Sequence, residues 1–282
     1  MSGSNHSCTR REFLKAASLG MAAIAVPPSL PFSGKSSEAQ PFTFAQLCDP
    51  QLGFGGYEHD VASFKQAVKQ INALKPAFVV ICGDLVNTPD KASLSDFDKM
   101  KARFDMPCHC AAGNHDVGNK PTPASLQSFR KAVGKDYYSF EHQGHTFAVV
   151  NTQLWKSPVK QESEKQDSWL EATLETAANR KHCTFVVGHY PLFLANPDEV
   201  EQYMTLPLAK RKELLGLFEA RRVVAVLGGH THKLFINEYK GIQLVNGETT
   251  SKNADGRPFG FRLWHVGDAR PFRHDFVPLE NS

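Results

Sequence analysis

The chain has 282 residues, of which 41% are hydrophobic and 22% are charged, and its formal net charge is +3. This composition is ordinary for a globular protein and excludes a collagen-like or low-complexity chain. No stretch approaches the ~20 apolar residues that a membrane-spanning helix needs, so we expect no stable membrane span. The charge is close to neutral, which gives no electrostatic reason to expect nucleic acid as a partner.

The N-terminal segment, residues 1–39, predicts an export signal. Its stretch Thr9–Lys15 contains two consecutive arginines and resembles the twin-arginine export consensus, and Ala16–Val26 follows as a short apolar run. Small residues before Gln40 suit a cleavage site there. We therefore expect a twin-arginine signal peptide, the twin-arginine export machinery as a partner, and a mature domain, residues 40–282, that is periplasmic or otherwise exported. The alternative is the amphipathic leader of a cytosolic protein.

The rest of the chain alternates between predicted strands and predicted helices. Short runs rich in apolar and β-branched residues predict five buried strands: Thr43–Cys48, Ala77–Cys82, Pro107–Ala112, Thr184–Val187 and Val223–Leu227. Helical spacing of apolar residues occurs in Val61–Leu74, Leu94–Phe104, Gln166–Ala178 and Leu208–Ala220. Further strands are predicted at Phe147–Val150, Lys233–Tyr239, Ile242–Asn246 and Phe259–Val266, with a hairpin turn between the middle two. This alternation indicates a layered α/β fold.

Polar residues follow directly after each of the five strand runs. They are Asp49, Asp84, Asn114 with His115 and Asp116, His189, and the pair His230 and His232. In α/β sheets, ligands collect beyond the carboxyl ends of the strands, so these side chains converge on one rim if the five strands are neighbours. Glycine precedes the polar residue in four of the five runs, which suits sharp turns and close backbone approach.

Each of these signals has a simpler structural interpretation when it is taken alone. Asp49 is typical of a turn, Asp84 of a loop, and His189 of a hydrogen-bonded structural histidine. The tetrapeptide Gly113–Asp116 is harder to obtain by chance. The ordered combination of all five blocks makes coincidence remote.

In this order the blocks resemble the calcineurin-like metallophosphoesterase superfamily, whose pattern is Asp-x-His, Gly-Asp, Gly-Asn-His-Asp/Glu, Gly-His and Gly-His-x-His. Four blocks match: Gly83-Asp84, Gly113–Asp116, Gly188-His189 and Gly229–His232. The first block departs from the pattern, because Gln51 stands where the superfamily usually has histidine. An Asp-Pro-Gln first block is similar to a branch that includes a serine/threonine phosphatase. The resemblance implies a layered α-β-β-α sandwich of two mixed sheets.

The resemblance also implies a dinuclear metal centre with carboxylate, amide and imidazole ligands. These would be Asp49, Gln51 and His232 for the first metal, Asn114, His189 and His230 for the second, and Asp84 bridging both. The catalytic residue His115 would protonate the leaving oxygen, and Asp116 would hold the ring of His115 and favour its protonated form. The ions would be divalent or trivalent, namely Mn, Fe, Zn or Mg. The oxygen donor of Gln51 favours Mn, Mg or iron at the first site.

The implied function is hydrolysis of phosphate esters by attack of a hydroxide that bridges the two metals. A phosphomonoesterase, such as a phosphoprotein phosphatase, fits the finer resemblance, and a phosphodiesterase fits the superfamily equally well. A non-catalytic metal-binding protein is the alternative from another class, because the first block is altered.

Three further features are left open or are given a structural interpretation. In the triplet Cys108–Cys110, the central His109 would face away from both cysteines on a strand, so metal ligation is not expected. Arg257 would either reach the substrate phosphate or lie in a solvated turn, and its sequence context favours the turn. Asn87 would either orient Asp84 or a water molecule, or serve only in the turn of its loop.

Overall fold

The computed structural model describes residues 40–267 and 269–280, and within them two β-sheets pack face to face between two layers of helices. In chain order the strands are β1 (Phe42–Leu47), β2 (Val79–Ile81), β3 (Cys108–Cys110), β4 (Tyr138–His142), β5 (His145–Val149), β6 (Cys183–Val187), β7 (Val223–Gly228), β8 (Phe235–Tyr239), β9 (Ile242–Asn246), β10 (Gly260–Val266) and β11 (Arg273–Pro278). The α-β-β-α sandwich of two mixed sheets is therefore confirmed. The predicted export signal, residues 1–39, lies outside the described residues.

The helices lie in the connections between these strands. They are α1 (Tyr57–Leu74), α2 (Lys91–Lys101), α3 (Asn114–Val117), α4 (Pro123–Ala132), α5 (Gln153–Lys156), α6 (Lys160–Asn179) and α7 (Leu208–Ala220). Helix α1 ends at Lys75, which takes the left-handed conformation that often closes a helix, directly before Pro76. In the described part of the chain, no helix combines the length and the apolar character needed to cross a membrane.

Each sheet combines parallel and antiparallel pairs. The first sheet has the order β11-β10-β1-β2-β3, in which β1, β2 and β3 are parallel and β10 pairs antiparallel with β1. The second sheet has the order β4-β5-β6-β7-β9-β8, in which β5, β6, β7 and β9 are parallel. The predicted hairpin joins β8 to β9, where Tyr239 pairs with Ile242.

Three apolar clusters occupy the three interfaces between the four layers. Phe64 of α1 and Phe97 of α2 belong to the cluster against the first sheet. Phe44 of β1 and Phe185 of β6 belong to the cluster between the sheets. The third cluster, which includes Leu214 of α7, lies against the second sheet. Central strands such as β2, β6 and β7 are buried on both faces, which explains why they are continuous apolar runs in the sequence.

The predicted rim of polar residues forms across both sheets and not along one. Strands β1, β2 and β3 belong to the first sheet, whereas β6 and β7 belong to the second. The two sets of carboxyl ends meet because Cys48, after β1, forms a parallel bridge with Thr249, after β9. The five strands are thus not neighbours in one sheet, yet their polar ends share one edge of the sandwich.

Candidate metal centre

The loops at this edge hold their polar residues in an uncommon backbone conformation. Asp49, Gln51, Asp84, His230 and His232 all have positive φ, at 49°, 33°, 48°, 70° and 53°. A left-handed conformation costs free energy in residues other than glycine, and such strain concentrates at functional sites. All five are residues that the resemblance assigns as metal ligands, so the backbone strain falls on the candidate site.

Ligand atoms from these loops form two groups. In one group, atoms of Asp84, His189 and His230 lie within 4.8 Å of one another, and in the other, atoms of Asp49, Asp84 and His232 do. Every one of these side chains is buried, and Asp84 belongs to both groups. A carboxylate shared by two groups of buried donors is the arrangement that bridges two cations.

The two amide side chains at the edge add one oxygen each. Oε1 of Gln51 is buried without a hydrogen-bond partner, while Nε2 of the same side chain lies 3.5 Å from Oδ1 of Asn87. Oδ1 of Asn114 lies 3.0 Å from Nε2 of His189. An unsatisfied buried acceptor calls for an explanation such as an ion. The orphaned oxygen of Gln51 is available to a metal.

Backbone carbonyl groups fix the ring nitrogens of three histidines. The distance from Nδ1 to the carbonyl oxygen is 2.9 Å for His115 and Asn87. It is 2.8 Å for His189 and Cys82, and 2.5 Å for His232 and Lys252. A carbonyl oxygen only accepts, so each Nδ1 carries the proton. In His189 and His232, Nε2 is therefore the nitrogen that is free to ligate a metal.

The charges at the centre also favour a cation. Nε2 of His189 lies 3.2 Å from Oδ2 of Asp84. Burial opposes ionisation of Asp84, but His189 and then His115 outweigh it and lower the pKa of Asp84 to about 2. Burial likewise opposes protonation of His189, but Asp84 and Asp49 raise its pKa to about 10. Burial and the charge of His189 lower the pKa of His230 to about 2. The carboxylates thus hold a positive charge at this point, and the donor set fits a pair of metal ions.

The predicted contact between Asp116 and the ring of His115 is wrong. Oδ2 of Asp116 accepts from the backbone N–H of Gly113 at 2.8 Å, and Oδ1 accepts from the backbone N–H groups of residues 85 and 86 at 2.9 and 3.3 Å. Consecutive residues of a helix do not face each other, so Asp116 cannot share the direction of His115. Burial and the charge of Asp84 raise the pKa of Asp116 to about 8. Asp116 anchors the loop that carries Asp84.

Two glycines let the loops approach each other. A Cβ atom at Gly113 would collide with the side chain and backbone nitrogen of Asp84, and a Cβ atom at Gly229 would collide with the carboxylate of Asp49. The close backbone approach expected from the glycine pattern is therefore confirmed at these positions.

The two donor groups open into a cleft of about 310 Å³. Its lining includes Gln51, Phe54, Asp84, His115, Tyr203, Met204, His230, Thr231, His232, Lys252, Asn253 and Ala254. His115 therefore faces the cleft beside the donors. Among these lining residues, Lys252 is the one with a full positive charge.

Arg257 does not line this cleft. Its Nη2 atom pairs with Oε1 of Glu248 at 3.1 Å, and its guanidinium lies 5.4 Å from the ring centroid of Phe276. A role of Arg257 in binding the substrate phosphate at this cleft is therefore not supported, and its ion pair with the buried carboxylate of Glu248 was not part of the predicted solvated turn.

Two residues with a part in the site were not assigned from the sequence. Asn87 contacts Gln51 through its side chain and His115 through its carbonyl oxygen, partners that differ from the Asp84 or water molecule considered from the sequence. Lys252 supports His232 through its carbonyl oxygen and faces the cleft. A backbone carbonyl has no residue-specific signal, so only the loop composition around these residues could have pointed to them.

Fold and site together define a metal-dependent phosphoesterase. The chain belongs to the calcineurin-like phosphoesterase family, whose sequence pattern matches residues 42–234. It is therefore a phosphoric ester hydrolase whose family uses metal ions.

Individual relatives extend this similarity over most of the chain. The sequence is 33% identical to the serine/threonine-protein phosphatase CPPED1 of Homo sapiens over 279 residues, covering 89% of this chain and 88% of that one. It is 36% identical to CPPED1 of Danio rerio over 231 residues, covering 73% and 74%. The structure of a dimetal phosphatase from Danio rerio has the same fold, with a TM-score of 0.64, 17% identity, and coverage of 85% of this chain and 99% of that one.

Proposed function

We propose that the protein is a phosphomonoesterase that uses two metal ions. The observation that carries the proposal is the sharing of buried Asp84 between two donor groups at the floor of an open cleft. Two divalent cations would carry more charge than the carboxylates of Asp49 and Asp84 and would therefore favour an anionic phosphate ester. Lys252 adds a further positive charge to the lining. The similarity to serine/threonine-protein phosphatases supports the same class of substrate.

When bound, two cations would lower the pKa of a water molecule and offset the charge on the phosphoryl oxygens. The residues of the chain then have distinct tasks. Asp49, Gln51 and His232 would hold one ion, Asn114, His189 and His230 would hold the other, and Asp84 would be shared between them. His115 faces the cleft with Nδ1 fixed by the carbonyl of Asn87, so its Nε2 is the atom that gives a proton to the leaving oxygen.

Gln51 is proposed as a ligand of the first ion, with Mn, Mg or iron favoured there. Support comes from its orphaned buried oxygen. In Gln51→Ala, we expect elemental analysis to find about one ion fewer per chain. In Gln51→His, which restores imidazole, we expect full occupancy. Unchanged metal content and activity in Gln51→Ala would remove this residue from the ligand set.

Substrate assays separate the proposed monoesterase from the alternatives. We expect turnover of p-nitrophenyl phosphate to exceed turnover of the bis ester. We expect His115→Ala to lower phosphatase turnover, more for an alkyl phosphate than for p-nitrophenyl phosphate, with both metals retained. The matched control is His265→Ala, which removes a partly exposed histidine outside the cleft that pairs with Asp275 at 2.9 Å on β10 and β11. Preference for the bis ester would establish a phosphodiesterase. Full metal content without turnover of either ester would establish a non-catalytic metal-binding protein.

We further propose that residues 1–39 direct twin-arginine export and that the mature protein is periplasmic or otherwise exported. The motif at Arg10 and Arg11 and the apolar run after it support this. N-terminal sequencing should find a start near Gln40 in the exported fraction. Replacing both arginines by lysine should leave uncleaved protein in the cytoplasm. Intact Met1 in the cytosol for the unaltered chain contradicts the proposal.

A further inference from the structure

We propose that the cleft beside the metal centre binds an aromatic leaving group, so that aryl phosphate monoesters are the preferred substrates. The proposal rests on the proposed phosphomonoesterase function and specifies its substrate class. Four features of the described residues carry it: exposed apolar side chains, their position relative to the donors, the anchoring of their loops, and the charge and size of the cleft.

Large apolar side chains are exposed at the mouth of the cleft. The exposed fractions are 41% for Phe54, 55% for Tyr203 and 36% for Met204, and all three line the cleft. Exposed apolar residues that cluster next to polar, functional groups are typical of ligand-binding surfaces. These side chains therefore offer an apolar wall next to the metal ligands.

The two aromatic rings stand against histidines of different donor groups. The ring centroid of Phe54 lies 5.1 Å from that of His232 and 6.2 Å from that of His115. The ring centroid of Tyr203 lies 5.3 Å from that of His230. A phosphoryl group held between the two donor groups would therefore have its organic substituent next to His115 and within reach of both rings. Aromatic rings pack favourably in offset or edge-to-face contact.

The loop that carries Phe54 is anchored from below. Oδ2 of Asp60 accepts from the backbone N–H groups of Gly53 and Gly55 at 2.9 and 3.0 Å. Its Oδ1 accepts from the hydroxyl group of Ser251 at 2.7 Å, and Asp60 is fully buried. The carboxylate thus holds the loop on both sides of Phe54 and keeps its ring at the mouth of the cleft.

The loop that carries Tyr203 and Met204 is anchored by two basic side chains. The buried guanidinium of Arg211 donates to the carbonyl oxygens of Glu199 at 2.9 Å and Leu206 at 3.0 Å. Nζ of Lys156 donates to the carbonyl oxygens of residues 202 and 205, at 2.7 Å each. These bonds hold the chain on both sides of Tyr203, so its exposure is a fixed property of the loop.

Charge and size agree with a small aryl phosphate. Nζ of Lys252 lies 5.6 Å from the ring centroid of Phe54, so an ammonium group accompanies the aromatic ring in the lining of the cleft. The cleft volume of about 310 Å³ is near the lower end of the ~300–1,000 Å³ seen for small-molecule sites. One aromatic group next to a phosphate therefore suits the cleft better than a large ligand.

The test compares two non-hydrolysable phosphonates, so that the intrinsic reactivity of an ester plays no part. Benzylphosphonate has the shape of phenyl phosphate, and ethylphosphonate has that of methyl phosphate. We expect isothermal titration of the metal-loaded protein to give a Kd for benzylphosphonate about tenfold lower than that for ethylphosphonate. In Phe54→Ala and in Tyr203→Ala, we expect this ratio to fall below about threefold, with the Kd of ethylphosphonate within about twofold of the unaltered protein. Both side chains are exposed, so the variants should fold.

Val200→Ala is the matched control, because Val200 is 85% exposed in the same loop and does not line the cleft. Its ratio should equal that of the unaltered protein. Equal affinity for the two phosphonates, or an unchanged ratio in both cleft variants, overturns the proposal. Phenyl phosphate hydrolysis, measured alongside, separates this outcome from a failure of the proposed function. Hydrolysis without aryl preference rejects only the aromatic site, and aryl preference without hydrolysis rejects only the esterase.

Discussion

The two ends of the β-sandwich place the same side chain, imidazole, in opposite surroundings. At the carboxyl ends of β1, β2, β6 and β7, histidines lie among carboxylates and amides. Towards the other end, the ring of His142 lies 4.6 Å from that of Phe42, and next to this pair, in the middle of β3, His109 stacks on Phe140 with ring centroids 3.6 Å apart. One end is built to hold a charge, and the other is part of the apolar packing.

The pKa values of the histidines follow from this difference. His189 is more deeply buried than His109, yet the carboxylates of Asp84 and Asp49 overcome burial and raise its pKa to about 10. His109 has no such partner, and burial together with the charge of Lys101 lowers its pKa to about 4. Burial alone does not decide the charge of a histidine; the neighbouring charges do.

Backbone strain distinguishes the two ends as well. At the aromatic end, the positive φ values of 44° and 71° belong to Gln143 and Gly144, which form the turn between β4 and β5. At the metal end, positive φ occurs at the ligands themselves, for example Asp49 and Asp84. Left-handed residues serve chain reversal in the first case and ligand placement in the second.

The largest expected effect comes from removing the shared charge of the metal end. In the unaltered protein, Oδ1 of Asp84 accepts a hydrogen bond from the backbone N–H of His115 at 2.9 Å. Asp84→Asn keeps an oxygen for this hydrogen bond but loses the bridging carboxylate. We expect both ions to be lost and kcat/KM to fall by more than about 10⁴-fold, beyond the usual effect of one general acid. Elemental analysis and phosphatase assays measure this. Full metal occupancy in the variant would show that Asp84 does not bridge.

A smaller loss of activity is expected at His115. His115→Gln removes the proposed proton donor but leaves every donor of the two metal groups in place. We expect kcat to fall by about 10²–10³-fold with both ions retained. Leaving groups of low pKa need less help from an acid, so the loss should shrink for p-nitrophenyl phosphate relative to an alkyl phosphate. An equal loss for both esters would argue against proton donation by His115.

The sequence predicted the residues of the metal end far better than their partners. Strand ends and glycine-preceded polar residues are local patterns, and Asp49, Asp84 and His189 lie where those patterns placed them. The sequence did not show which strands share a sheet, because strands that pair can be far apart in the chain. Strand β10, for example, pairs with β1 although more than 200 residues separate them. Edge strands β4 and β11 alternate between exposed and partly buried residues and were not predicted.

The error at Asp116 has a similar origin. The role given to Asp116 through the resemblance needs contact with the ring of His115, but a helix separates consecutive side chains by about 100°. Asp116 instead meets backbone N–H groups of the loop after β2, a contact that depends on how two loops approach. Likewise, the support of His232 by the carbonyl of Lys252 arises from folding and has no side-chain pattern.

Metal binding should depend strongly on pH because of His189. In the metal-free protein its pKa is raised to about 10, so a metal must displace its proton at neutral pH. His230 adds no proton, since its pKa is lowered to about 2. We expect affinity for Mn²⁺ to rise by up to about tenfold per pH unit between pH 6 and 9 from this proton. Chelator competition at several pH values measures the slope, and an affinity that is flat over this range would contradict a protonated His189.

The smallest expected effect lies at the aromatic end and concerns stability, not activity. The pKa of His109 is lowered to about 4, whereas an unfolded histidine titrates near 6.5. Between these values the unfolded chain binds a proton that the folded protein does not, so the free energy of unfolding falls as pH drops from about 6.5 to about 4. His109→Phe keeps the stacked contact with Phe140 and removes this proton. We expect it to recover about 1–2 kcal/mol at pH 4, less than the full shift implies because the ring is partly exposed.

Urea denaturation at pH 7 and pH 4 measures this difference between the two ends. At pH 7 the variant and the unaltered protein should hydrolyse p-nitrophenyl phosphate at the same rate, since His109 stacks on Phe140 in the middle of β3 and belongs to neither donor group. His265→Phe controls for the loss of a histidine outside the aromatic cluster. If His109→Phe and the unaltered chain lose the same stability on acidification, the proton uptake of unfolding lies elsewhere. The contrast between a charge-holding and a charge-excluding end would then not extend to His109.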